Sequence, residues 1–252
     1  MAENYGNTHQ EISELAKDGT ISSETAKKYS TGATRPVNGA KLDGLADDPL
    51  FLLVLVDASG SMEACKNAVI LSHPIMLEAL RGCAHARHNR LLVCQYLFNT
   101  ESNNLHPFTP LAPNASNDQV KILNNANYNP SGRTALYKTL NSGLQDLLVT
   151  LSYAKKGGLA PECIIALITD GEDTEGGFNP TDIRNLLQEL RGQNILKNSV
   201  LLGLLNNNLT QERLETIQTN LGFEANVNCT QASEKEIRKA FRLFSQSLVA
   251  GI

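Results

Sequence analysis

The chain has 252 residues, 41% of them hydrophobic and 19% charged, with no tryptophan and a formal net charge of −4. That length suits one large α/β domain with a well-buried core, or two small ones. A mildly acidic balance supplies none of the broad basic surface that nucleic acid or an anionic membrane requires.

The first residues, Met1 to Asn7, are polar and lack the basic start and apolar core of a signal peptide. Residues 1–48 hold few large apolar side chains and many Ser, Thr, Gly, Asn and Lys. They read as an N-terminal tail or arm with short helical turns at Glu11–Lys17 and Ser23–Tyr29 and an extended linker at Ser30–Asn38. Two alternatives stand for this segment: partial disorder, or an ordered arm that packs on the domain or on a partner. Residues 49–252 read as the domain proper.

From Pro49 onward, apolar runs alternate with amphipathic helical patterns. Leu50–Val56 is continuous and rich in leucine and valine, the signature of a strand covered on both faces. It is also the longest apolar run, and far too short to span a bilayer, so the expected location is cytoplasmic. Further strands are expected at Arg90–Phe98, Cys163–Ile168, Ser199–Leu205 and Phe223–Asn228, with a short antiparallel edge strand at Leu105–Leu111. Helical spacing recurs from Leu136 to Leu151, from Ile183 to Leu190, and from Ile237 to Leu248, where Ser233 and Glu236 form a capping box. Pro74 costs about 3 kcal/mol inside a helix. A short turn is therefore expected at Glu63–Leu71, with a helix opening near Ser72 and proline in its first turn. Strands alternating with helices define a doubly wound, mostly parallel sheet with helices on both faces. The five cysteines, Cys65, Cys83, Cys94, Cys163 and Cys229, are odd in number and include no C-x-x-C pair. They read as reduced, buried thiols, without a structural zinc site.

Three short pieces carry the chemistry: Asp57-Ala58-Ser59-Gly60-Ser61, Gly132-Arg133-Thr134 and Thr169-Asp170-Gly171. Asp57 and Asp170 follow strands directly and Thr134 opens a helix, so all three pieces face the carboxyl rim of the sheet, where open α/β folds bind ligands. Their donors are all oxygens, which suits a hard divalent cation: Mg²⁺, with Mn²⁺ or Ca²⁺ also accepted. An ion held mainly by neutral hydroxyls and water stays electron-poor and favours an anionic ligand, most simply a carboxylate of another protein. Taken singly, either aspartate reads better as a strand-end carboxylate capping a helix, and only the five positions together favour a metal. His85 and His88, set among Arg81, Arg87 and Arg90, read as charge at a helix C-terminus. His73 and His106 stand alone, and Asn124–Asn129 reads as part of the loop wall around the site.

D-x-S-x-S after the first strand, G-R-T before a helix and T-D-G-x-D after a later strand together resemble the metal-ion-dependent adhesion site (MIDAS) of a von Willebrand factor A domain. The resemblance runs from Pro49 to about Ala250. It implies a Rossmann-like fold, Ser59 and Ser61 as direct metal ligands, and Thr134 as a ligand either direct or through water. Asp57 and Asp170 would hold the ion through water or bond to its shell, and Asp173 would lie in a second shell or on the rim. It further implies an intracellular adaptor or scaffold binding an acidic residue of a partner protein, in a setting such as a bacterial stress-response system. An alternative is a subunit of a chelatase-like AAA ATPase machine. In a third reading the metal is structural and the binding face lies elsewhere, in the tail. No catalysis is expected. The chain has no G-x-x-x-x-G-K-[ST] phosphate loop and no G-x-S-x-G elbow, and Ser59 stands where an aspartyl-phosphate enzyme needs a second acid.

Overall fold

The computed structural model describes residues 8–30, 48–113, 119–204, 209–231 and 233–250. Two helices, α1 (Thr8–Lys17) and α2 (Ser23–Ser30), precede strand β1 (Leu50–Asp57). A 3-10 turn at Gly60–Cys65 leads into α3 (Lys66–Arg81), a single-turn helix α4 (Ala84–Arg87), β2 (Leu91–Phe98) and β3 (Ser102–Pro110). Then follow α5 (Leu136–Lys156), β4 (Glu162–Thr169), α6 (Pro180–Gly192), β5 (Leu196–Leu204), α7 (Gln211–Leu221), β6 (Ala225–Cys229) and α8 (Glu234–Ala250).

The strands form one six-stranded sheet in the order β3-β2-β1-β4-β5-β6. β2 pairs antiparallel with β3 and every other pairing is parallel. The expected fold class is therefore met, including the single antiparallel edge strand. Every residue of β1 and of β2 is buried, as both-face coverage demands. Alternation along β1 sends Phe51, Leu53 and Leu55 into a core with α1, α2, α5, α6 and α7. Leu50, Leu52, Val54 and Val56 enter the opposite core, built with α3 and α8. Phe51 meets Phe108 edge-on, with ring centroids 5.3 Å apart.

The N-terminal helices belong to the first of these cores. Ile12, Leu15 and Tyr29 are buried there. The Glu11 carboxylate accepts from Ser152 Oγ at 2.9 Å and pairs with Lys156 at 2.7 Å, which fastens α1 to α5. Glu189 of α6 accepts from the Ser22 amide at 2.8 Å and the Thr25 hydroxyl at 2.9 Å, and Lys28 pairs with Asp182 at 2.7 Å. Ser30 closes α2. The rest of the expected linker, residues 31–38, lies outside the described residues, as does Leu205 at the expected end of β5.

Three local expectations differ from the structure. The expected turn and late helix start around Pro74 are instead one helix, α3, with Pro74 inside it. Val69, His73, Met76, Leu77 and Leu80 are all buried along it. At about 1.5–3 kcal/mol per large apolar side chain, that burial outweighs the local cost of the proline. His73 and His106 do not stand alone. Gln95, fully buried, receives His73 Nε2 at 2.5 Å on its Oε1 and places its Nε2 2.7 Å from His106 Nε2 and 2.8 Å from the Lys121 carbonyl, joining α3, β2, β3 and the loop beyond. Finally, α7 is a helix that the apolar pattern did not suggest, since only Leu214, Ile217 and Leu221 are buried in it. Its ends are nonetheless marked: the Thr210 hydroxyl accepts from the Arg213 amide, and Gly222 closes it at φ 68°.

Candidate functional site

β1 and β4 run parallel and side by side, so Asp57 and Asp170 emerge at one edge of the sheet. Asp57 is fully buried. Its Oδ1 accepts from the Ser59 amide at 2.7 Å, an Asx turn that swings the chain out of β1, and its Oδ2 accepts from the Thr169 hydroxyl at 2.6 Å. Ser59 Oγ lies 3.1 Å from Ser61 Oγ, which donates to Asp170 Oδ1 at 2.7 Å. Asp57, Ser59, Ser61 and Asp170 thus form one connected set, gathered from positions far apart in sequence.

Thr134 is held at the same edge by its backbone. Its amide donates to the Thr174 hydroxyl, and its carbonyl accepts from the Thr174 amide, both at 2.9 Å. Two further bonds tie its loop to the Asp57 loop: the Ser131 amide donates to the Ala58 carbonyl at 2.8 Å and the Gly60 amide to the Gly132 carbonyl at 3.0 Å. Gly132 sits at φ 72°, and a Cβ there would fall 2.5 Å from Thr100 Oγ1, so only glycine fits this crossing. Asp173 caps from a distance: its Oδ1 accepts from the Tyr137 amide in the first turn of α5 at 3.1 Å, and its Oδ2 accepts from the Gly176 amide at 2.7 Å. It fixes the start of α5 relative to the Asp170 loop.

Sequence reasoning singled out Thr169 without its role and missed a second support altogether. Thr169 carries the hydroxyl that orients Asp57. Tyr128, fully buried, donates its phenol to the Asp57 carbonyl at 2.7 Å. The Asn124–Asn129 stretch thus reaches the end of β1 through its tyrosine, while its asparagines close the loop on itself. The stretch reads as polar and turn-rich, and nothing in it marks the tyrosine as buried.

Burial pushes the Asp57 carboxyl up to about 6, against the hydrogen bonds from Thr169 and Ser59 that favour its ionised form; the neighbouring Asp170 adds to the rise. A cation at this edge would act the other way and hold both carboxylates ionised. Among the described residues no three His, Cys, Asp or Glu side chains gather as a metal cluster. What gathers instead is two carboxylates and two serine hydroxyls. Such a set fits a hard cation and leaves it short of negative charge.

The chain belongs to the von Willebrand factor type A domain family, whose model matches residues 52–242. No curated protein matches it. Solved structures share its fold at low identity. The PilB minor pilin from Streptococcus sanguinis is 15% identical with a TM-score of 0.58, over 81% of this chain and 62% of that one. The pilus adhesin SpaC from Lactobacillus rhamnosus GG is 15% identical with a TM-score of 0.54, over 80% of this chain and 30% of that one. Proximal thread matrix protein 1 from the mussel byssus is 14% identical with a TM-score of 0.50, over 81% of this chain and 47% of that one. This chain therefore spans less than two thirds of the length of each of these neighbours.

Proposed function

We propose that this chain is a binding module that holds a divalent cation, Mg²⁺ first among them, at the Asp57–Asp170 edge and through it binds a carboxylate of a partner protein. Von Willebrand factor type A domains are protein-interaction modules, which supports the coarse reading. The observation that carries the finer one is the Ser59–Ser61–Asp170 connection, with 3.1 Å and 2.7 Å between successive oxygens at the carboxyl rim of the sheet. In this reading Ser59, Ser61 and Thr134 supply neutral oxygens to the ion. Asp57 and Asp170 supply the balancing charge, directly or through water. Asp173, Tyr128 and Thr169 hold the three loops in place. The bound ion supplies an electron-poor position for an anionic oxygen, and no residue is assigned a catalytic step. Five free, buried cysteines support a reducing, cytoplasmic location. Among the described residues no helix is long and apolar enough to cross a membrane.

Isothermal titration of Mg²⁺ into metal-stripped protein tests the reading. Wild type is expected to bind, and Asp57→Ala to weaken binding at least about tenfold. Absence of binding in wild type overturns it. With the site established, capture of partners in Mg²⁺ against EDTA identifies the acidic ligand. Stimulation of a captured AAA ATPase would assign the module to such a machine, and capture of stress-system proteins to an adaptor role.

A further inference from the structure

We propose that the outer face of α8 is a second docking surface and that its occupant is an acidic segment of a partner protein. The buried face of α8 carries Ile237, Phe241, Phe244 and Leu248. Directly opposite, Lys235, Arg238, Lys239 and Arg242 are all exposed. At steps of three and four they form one stripe. A shallow groove of about 470 Å³ runs between these side chains, with Glu234 on its margin. The chain as a whole has a net charge of −4, so a stripe of four cations against two acids, Glu234 and Glu236, stands apart as a locally positive face.

Helix stability does not account for the stripe. Lys235 falls in the first turn of α8, where the positive end of the helix dipole disfavours a cation. The pairs 235/238, 235/239, 238/242 and 239/242 all set like charges at helical neighbour positions, which opposes folding of the helix. Glu234 pairs with Arg238 at 2.7 Å and Glu236 stands 3.8 Å from Lys239. Among the described residues Lys235 and Arg242 have no ion-pair partner. The helix's own acids thus account for Arg238 and Lys239 but not for Lys235 and Arg242, whose charge remains for a ligand.

The stripe continues toward the C-terminus of α8 into a second groove, between Leu243, Gln246 and Ala250 on the helix and Asn226 to Asn228 of β6, the last strand of the sheet. Leu243 is 46% exposed, one of only four large apolar side chains so placed among the described residues. The surface thus offers cations first and an apolar contact one turn further on. That order fits an acidic protein segment carrying a hydrophobic residue. Neither nucleic acid nor a lipid surface is favoured, because no exposed aromatic lies on the stripe for base stacking or interfacial anchoring. The surface is independent of the metal site: β6 lies two strands from β4, roughly 10 Å across the sheet.

Fluorescence anisotropy of the full chain in EDTA, with a labelled peptide of repeated Glu-Glu-Leu, tests the proposal without contribution from the cation site. Wild type is expected to bind this peptide, to ignore its Lys-Lys-Leu counterpart and to lose affinity as salt rises. Lys235→Glu with Arg242→Glu is expected to weaken binding at least about tenfold, and the corresponding double glutamine variant less. Both positions are exposed, so circular dichroism is expected to match wild type. Equal affinity in wild type and the double glutamate variant overturns the proposal. So does binding that requires Mg²⁺, or tighter binding of oligothymidylate or of phosphatidylserine vesicles than of the acidic peptide.

Discussion

Asp57 combines two demands that conflict in the absence of metal. Burial raises its carboxyl to about 6 from an ordinary 3.8. A carboxyl raised in this way lends stability that is complete below the unfolded value and is lost as pH rises through the folded one, here across roughly pH 4 to 6. At neutral pH in EDTA the ionised group therefore costs up to about 3 kcal/mol. A carboxamide in its place would keep the acceptor for the Ser59 amide. Thr169, which also bonds to the Gly171 carbonyl at 3.0 Å, can turn its hydroxyl there and accept from the new amide. Asp57→Asn is expected to stabilise the metal-free protein at pH 7, to flatten its stability between pH 4 and 6, and to weaken Mg²⁺ binding. Urea unfolding in EDTA at several pH values measures the first two. An unchanged pH slope would show that Asp57 is not the group responsible. The set Asp57, Ser59, Ser61 and Asp170 was legible in the sequence because each residue sits within a few positions of a strand end, where direction is fixed by the sheet. Tyr128 and Thr174 were not, because their contributions are contacts between loops, and nothing local to either residue encodes its partner.

At the scale of elements, the buried strands were readable because β1, β2 and β4 are continuous apolar runs. The helices were readable in proportion to the width of their apolar face. α5 presents a long leucine series, whereas α7 rests on three buried side chains in an otherwise polar helix. α3 was misplaced for a different reason: the cost of Pro74 is local and visible, while the burial that outweighs it depends on contacts with α8 and the sheet. α1 and α2 pose the same problem in milder form. Their few apolar residues look insufficient until α5 and α6 are set beside them. Leu15 is 1% exposed in that shared core. Leu15→Ala is therefore expected to destabilise the whole domain by about 2–4 kcal/mol, read as a shift in the urea midpoint of a single transition. A loss under about 0.5 kcal/mol, the range of neutral surface changes, would mean that the helices ride on the domain without supporting it.

For the molecule as a whole, a cation bound only by the folded state must raise the melting temperature by mass action. At a hundredfold excess over its dissociation constant, Mg²⁺ would add about 2.7 kcal/mol, or roughly 5–10 °C for a chain of this size. EDTA is expected to reverse the shift, and Asp57→Ala to reduce it by about half or more. A melting curve indifferent to Mg²⁺ would contradict the proposed site. The α8 surface would not contribute to this shift, since its proposed ligand needs no metal. A partner with two acidic segments could engage the rim and α8 together, and its affinity would then exceed that of either contact alone.

The joining of Glu11 to Ser152 spans 141 positions. On a ribosome this interval becomes a delay. At about 5–20 residues per second, the helix bearing Glu11 would wait roughly 7–28 s for its receptor helix to be synthesised. Throughout that wait Ile12, Leu15 and Tyr29 have no core to enter. A nascent-chain handler that shields short amphipathic helices would find its substrate here, long before the rim exists to bind anything.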